Sequence, residues 1–191
     1  MLVLASASPR RRELLTQAGY TFRVHAAQVN EDPLPGEEPI TYVTRLAREK
    51  AEAVFRELSA DEHGEPLLVL GADTTVTVDR EILGKPENAA DAARMLRLLS
   101  GRSHRVMTGV ALISAGATEV AAEVTAVRFL TLSDEEIAAY VATGEPMDKA
   151  GAYAIQGRAA RWIPRIEGCY FNVMGLPLAL VAELVEARAG V

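Results

Sequence analysis

Short apolar runs, long enough for a strand and too brief for a buried helix, alternate along this chain with stretches of helical period, which confines it to layered α/β architectures. Residues 2–5 form the first such run, followed by Ser6-Ala7-Ser8-Pro9 and a helix closing at Gly19, with Ser8 placed to cap and Pro9 at the first helical position. Residues 31–39, rich in Pro, Gly and acids, read as a loop, and Thr41 to about Leu58 follows a helical period. Residues 67–70 read as a second buried strand that meets a glycine-containing turn at Gly71-Ala72-Asp73 before continuing as residues 74–78, with Asp79-Arg80 as a hairpin turn. Asn88 is positioned to cap a helix running to Leu99. Two β-like segments, 105–113 and 120–129, flank Gly116, and Ser133 to Glu136 spell a capping box for a helix ending near Gly144. Residues 169–173 read as a last strand, and Pro177 opens the C-terminal helix. This order predicts a mixed, mostly covered β-sheet flanked by helices.

With 191 residues, one domain spanning 1–191 is the economical expectation. The formal charge of −6 argues against binding of a nucleic-acid polymer, which needs many cations to neutralise phosphates, but leaves room for a local basic pocket that takes a small polyanion. Cys169 is the single cysteine, so no internal disulfide is available, and the expected compartment is the reducing cytoplasm. The opening MLVLASASPRRR has too short an apolar run, with its charge on the wrong side, for a targeting signal. No apolar stretch approaches the roughly 20 residues of a membrane span.

Three features point to chemistry. Arg10, Arg11 and Arg12 fall in the first turn of a helix, where the macrodipole makes each cation unfavourable by about 0.3–1 kcal/mol. Either an anion binds there, held by backbone N–H groups, the Ser6 and Ser8 hydroxyls and the guanidinium forks, or the run is a solvated basic patch. Lys50 shares a helical stripe with Val43, Ala47 and Val54, so its ammonium either meets a carboxylate or phosphate or snorkels to water. Asp73, after an apolar run, suits a metal ligand or general base, or else accepts N–H bonds of a turn. Lys85, on a loop after the hairpin, either reaches back towards the same pocket or is an ordinary loop lysine.

The chain has no GxxxxGKS/T loop, GxGxxG fingerprint, HExxH pair or cysteine pair, which removes the standard P-loop, dinucleotide and zinc-hydrolase readings. His25, His63 and His104 are too scattered for a ligand set and read as surface or satisfied residues. Tyr42, Trp162 and Tyr170 read as packing residues.

Taken in order, LASASPRRREL, RLAREKA, GADTTV, LGKP and KAGAYAIQG closely resemble the Maf family across most of the chain. The resemblance implies an α/β fold related to the inosine-triphosphate pyrophosphatases, commonly a homodimer, and a pyrophosphatase dependent on Mg²⁺ or Mn²⁺ acting on a nucleoside triphosphate. Carried over by position, Asp73 is the proton acceptor, and Ser6, Arg10, Glu31, Lys50 and Lys85 belong to the phosphate and metal cleft, with the metal at Glu31 and Asp73. Arg11, Thr74 and Gln156 match the markers of the branch acting on dTTP and UTP, and a Gln amide offers both donor and acceptor to a pyrimidine edge. Two alternatives within this resemblance are a house-cleaning enzyme for modified pyrimidine nucleotides and a nucleotide-sensing regulator of cell division.

Overall fold

The computed structural model describes residues 1–59 and 66–189; His63 lies outside them. Seven strands form one sheet, β1 (Leu2–Ala5), β2 (Phe22–Val24), β3 (Leu68–Val78), β4 (Glu81–Leu83), β5 (Ser103–Ser114), β6 (Ala117–Arg128) and β7 (Arg165–Glu167), in the order β2-β1-β3-β5-β6-β7 with β4 paired to β3. β1 runs parallel to β2 and β3, whereas β4 on β3 and β7 on β6 are antiparallel, so the sheet is mixed as expected. The helices are α1 (Pro9–Gln17), α2 (Pro39–Ser59), α3 (Ala89–Leu99), α4 (Asp134–Val141), α5 (Tyr170–Met174) and α6 (Leu178–Ala189), with three short 3₁₀ turns between α4 and β7. Among the described residues no helix is long and apolar enough to cross a membrane.

Two compact units share this chain. The first comprises Met1–Asp73, Thr108–Glu123 and the stretch from Gly175. Its core joins Val3 and Ala5 of β1, Val69 of β3 and Ala111 of β5 to Ala47, Ala51 and Val54 of α2. The helix can lie this close because the strands beneath it carry glycine. A Cβ on Gly71 would stand 2.1 Å from the Ala47 carbonyl oxygen, and one on Gly109 would stand 2.2 Å from that of Val43.

The second unit comprises Thr74–Met107 and Val124–Met174. Its core gathers Leu96 and Leu99 of α3, Val127 of β6, Phe129, and Ile137 and Tyr140 of α4. Asn88 and Ser133 cap α3 and α4 through their side chains, the latter in a full capping box.

Two local readings are corrected. Residues 71–73 form no turn: β3 passes straight through them, and Gly71 serves the close approach of α2, not a change of direction. Residues 169–173 do not form a strand, since 170–174 are helical. The Cys169 backbone exchanges hydrogen bonds with the Thr125 hydroxyl instead of a ladder partner, and the buried Asn172 amide donates to the Val106 carbonyl and the Thr125 hydroxyl, which fixes a helical turn. The last strand is β7, just upstream.

Candidate active site

Strand alternation puts Val69, Gly71 and Asp73 on one face of β3, the face that Gly71 opens to α2. Lys50, on the buried stripe of α2 and one turn beyond Ala47, therefore arrives beside Asp73. Its Nζ lies 2.7 Å from Asp73 Oδ1 and 2.6 Å from Glu31 Oε1, so the buried ammonium is clasped by two carboxylates. Burial raises the Asp73 pKa above its ordinary 3.8; Lys50 and Arg11 oppose that rise, and Glu31 adds to it. A carboxylate of raised basicity beside fixed cations is chemically competent to take a proton from water.

The arginine run divides by direction. Arg12 is exposed, Arg10 is half-buried, and Arg11 turns inward. Its Nε donates to the Gly175 carbonyl at 2.8 Å, and Nη1 donates to the Ala72 carbonyl at 2.9 Å and the Ser6 hydroxyl at 3.0 Å. Burial lowers the guanidinium pKa, an effect opposed by Asp73 and Glu31, and the group stays protonated. For Arg11, two protein carbonyls and the Ser6 hydroxyl thus supply acceptors, where the sequence left a bound anion or water as the alternatives. The buried Ser6 hydroxyl also accepts from the Ser8 amide at 3.3 Å, tying the strand end to the helix cap.

Glu31 comes from a segment without regular structure, and residues of α2 hold that segment. The Tyr42 hydroxyl donates to the Glu31 carbonyl at 2.8 Å, and burial, then Asp73 and Glu31, push its pKa up to about 12, so it remains a donor. Arg45 grips both oxygens of Glu37 at 2.7 and 2.8 Å and donates to the Asp32 carbonyl at 3.2 Å. Sequence reasoning missed Tyr42, Arg45 and Glu37 in this role. The available signal was an Arg flanked at i−3 by Tyr and at i+4 by Glu49 on one helix face, directly after a loop of acids.

Ser6, Arg11, Glu31, Lys50 and Asp73 thus gather within the first unit. Thr74, Lys85 and Gln156 belong to the second: Thr74 is half-buried on the opposite face of β3 from Asp73, and Lys85 and Gln156 are exposed. Among the described residues no three His, Cys, Asp or Glu side chains cluster into a protein-only metal cage. Glu31 and Asp73 are hard oxygen donors of the kind Mg²⁺ takes, and in this structure both are turned to the Lys50 ammonium.

Of the other residues singled out, Trp162 is buried and packs edge-on against Tyr140, whereas Tyr170 is 40% exposed and is no core residue. His25 pairs with Glu57 at the surface. His104 is buried in the second unit, with Nε2 2.8 Å from the Tyr153 hydroxyl and no partner at Nδ1.

A family model described as Maf-like protein matches residues 1–188, and the chain belongs to the Maf family. It is 53% identical to a dTTP/UTP pyrophosphatase of Koribacter versatilis, over 100% of this chain and 95% of that protein. It is 55% identical to a dTTP/UTP pyrophosphatase of Geobacter sulfurreducens, over 95% and 93% respectively. The crystal structure of a nucleoside-triphosphatase/dITP/XTP pyrophosphatase from Mycobacterium abscessus covers 100% of this chain and 97% of its own at 13% identity, with a TM-score of 0.42.

Proposed function

We propose that this chain hydrolyses dTTP and UTP to the nucleoside monophosphate and pyrophosphate. The observation that carries the reading is the Lys50–Asp73 contact at 2.7 Å, in a chain more than half identical, along almost its whole length, to proteins named for that reaction.

In this mechanism Asp73 accepts a proton from a water whose oxygen attacks the α-phosphorus. The new P–O bond forms as the bond to the α,β-bridging oxygen breaks, and its electron pair departs on pyrophosphate. Lys50 keeps Asp73 ionised and oriented, and Arg10, Lys50 and Lys85 are assigned to the charge gathering on the leaving group; preorganised donors of this kind contribute several kcal/mol, about 3–4 each where one has been removed. Ser6 and Arg11 shape the turn that receives the triphosphate, and Arg11, Thr74 and Gln156 are assigned to the preference for a thymine or uracil base. Glu31 and Asp73 would hold a Mg²⁺ or Mn²⁺, which when bound neutralises phosphate oxygens. A cytoplasmic location and a homodimer belong to the same reading.

The test is to incubate the protein with each common triphosphate and Mg²⁺ or Mn²⁺ and to measure pyrophosphate against orthophosphate. Pyrophosphate release with highest kcat/KM for dTTP and UTP is expected. Orthophosphate as the product would rule out attack at the α-phosphorus, and a flat response across bases would rule out the pyrimidine assignment.

A further inference from the structure

The turn that carries Gln156 is gripped at both ends by a polar chain that catalysis does not use. The Ala154 amide donates to the Tyr140 hydroxyl at 3.1 Å, that hydroxyl donates to Glu145 Oε1 at 2.8 Å, and the same oxygen accepts from the Arg158 amide at 3.0 Å. Gly157 donates back to the Ala154 carbonyl at 3.1 Å, closing the turn. Ala154, Ile155 and Ala159 are buried, and Gln156 and Arg158 are the exposed polar residues between these anchors, with the Arg158 amide engaged by Glu145.

Gly157 shows how closely the carboxylate is fitted. Its φ of −100° is open to any residue, yet a Cβ there would stand 2.1 Å from Glu145 Oε1, so a larger residue would push the carboxylate from its place. Glu145 is itself fixed by its amide donating to the Thr143 hydroxyl and by Lys149 Nζ donating to its carbonyl at 2.7 Å. Tyr140 is locked edge-on against Trp162, whose indole N–H donates to Glu136 on α4.

We propose that Tyr140 and Glu145 are specificity-positioning residues: they hold the 154–158 turn rigid so that the Gln156 amide meets the base at a fixed place, and discrimination between pyrimidines depends on them. This rests on Gln156 reading the base. Uracil and thymine present an N–H flanked by two carbonyls, whereas cytosine presents a ring-nitrogen acceptor beside an amino group. An amide held in place can favour one pattern; an amide on a loose turn re-orients and loses the preference.

The experiment compares kcat/KM for UTP and CTP in the unaltered protein and in Tyr140→Phe, Glu145→Gln, Gln156→Ala and the double variant Glu145→Gln/Gln156→Ala, with thermal denaturation of each. Glu145→Gln keeps the shape but replaces the charged acceptor of the Tyr140 hydroxyl and the Arg158 amide with a weaker neutral one, so it tests the site even if Tyr140→Phe folds poorly. The expected result is that Tyr140→Phe and Glu145→Gln each lower the UTP/CTP ratio at least about fivefold, chiefly through KM for UTP, and that the double variant discriminates no worse than Gln156→Ala alone. Equal losses on UTP and CTP, tracking a lower Tm with the ratio unmoved, would overturn the positioning role while leaving Gln156 as base reader. An unchanged ratio in Gln156→Ala would overturn the base reading and the proposal with it.

Discussion

The backbone of Gly71 lies so close to Ala47 that a methyl group on it would stand 2.1 Å from the Ala47 carbonyl oxygen. This contact sets how near α2 comes to β3, and two residues along the strand it determines whether Lys50 reaches Asp73. The meeting of Lys50 with Asp73 therefore depends on an apolar packing detail as much as on the charged groups themselves.

Gly71→Ala should consequently damage structure and activity together. Overpacking of this kind costs about 1–3 kcal/mol, and a shift of α2 draws the ammonium off the carboxylate. A lower Tm with at least about a tenfold fall in kcat/KM is expected. Full activity at an unchanged Tm would show that the helix does not depend on the glycine.

How much of this was legible in the sequence follows from which interactions are local. Ser8, Asn88 and Ser133 act on backbone amides within three residues of themselves, and the structure has all three caps where the sequence placed them. The stripe of α2 was equally plain, because period and burial coincide at Val43, Ala47 and Val54, while the direction of the Lys50 ammonium on that stripe was left open. What escaped was non-local: Gly71 looks like a turn until the helix above it is known, and residues 169–173 look like a strand until Thr125 and Val106 supply side-chain and carbonyl partners. Glu31 was reachable only through the family resemblance, because the loop carrying it has no period and is held by bonds spanning 11 and 13 positions.

Asp73→Asn should abolish turnover while largely sparing nucleotide binding, since the amide keeps the shape and loses the base. In the unaltered protein the base works only when ionised, so kcat/KM should rise with pH through a pKa above the ordinary 3.8, in the direction burial moves it, and fall away on the acid side. Turnover by Asp73→Asn comparable to that of the parent would remove Asp73 from the mechanism.

Arg45→Lys keeps the charge of α2 but cannot fork across Glu37 and still reach the Asp32 carbonyl. The Glu31 segment should loosen, leaving Lys50 with one firm partner, and kcat/KM should fall about five- to tenfold, equivalent to roughly 1–1.4 kcal/mol. Tyr42→Phe, which loses a single bond to the Glu31 carbonyl, should fall by less. Equal effects from the two variants, or none, would show that the fork does not hold the segment.

His104 offers a test of the second unit that is independent of catalysis. Burial lowers its pKa from 6.5 to about 3, so the folded protein keeps it neutral over a range where the unfolded chain takes up a proton. Because the unfolded state binds more protons between those limits, stability rises with pH there; the contribution is complete above the unfolded value and is lost as pH falls towards the folded one. At about 1.4 kcal/mol per pH unit, on the order of 3 kcal/mol should be gone by about pH 4. His104→Gln removes the titration, keeps a polar tip for the Tyr153 hydroxyl, and leaves the edge-on contacts with Phe129 and Tyr153 as the packing cost. Urea denaturation of both proteins should therefore show the parent's advantage at neutral pH shrinking by about that amount on acidification. A difference that stays constant from neutral to acid would mean that His104 takes up its proton as easily in the folded protein as in the unfolded chain.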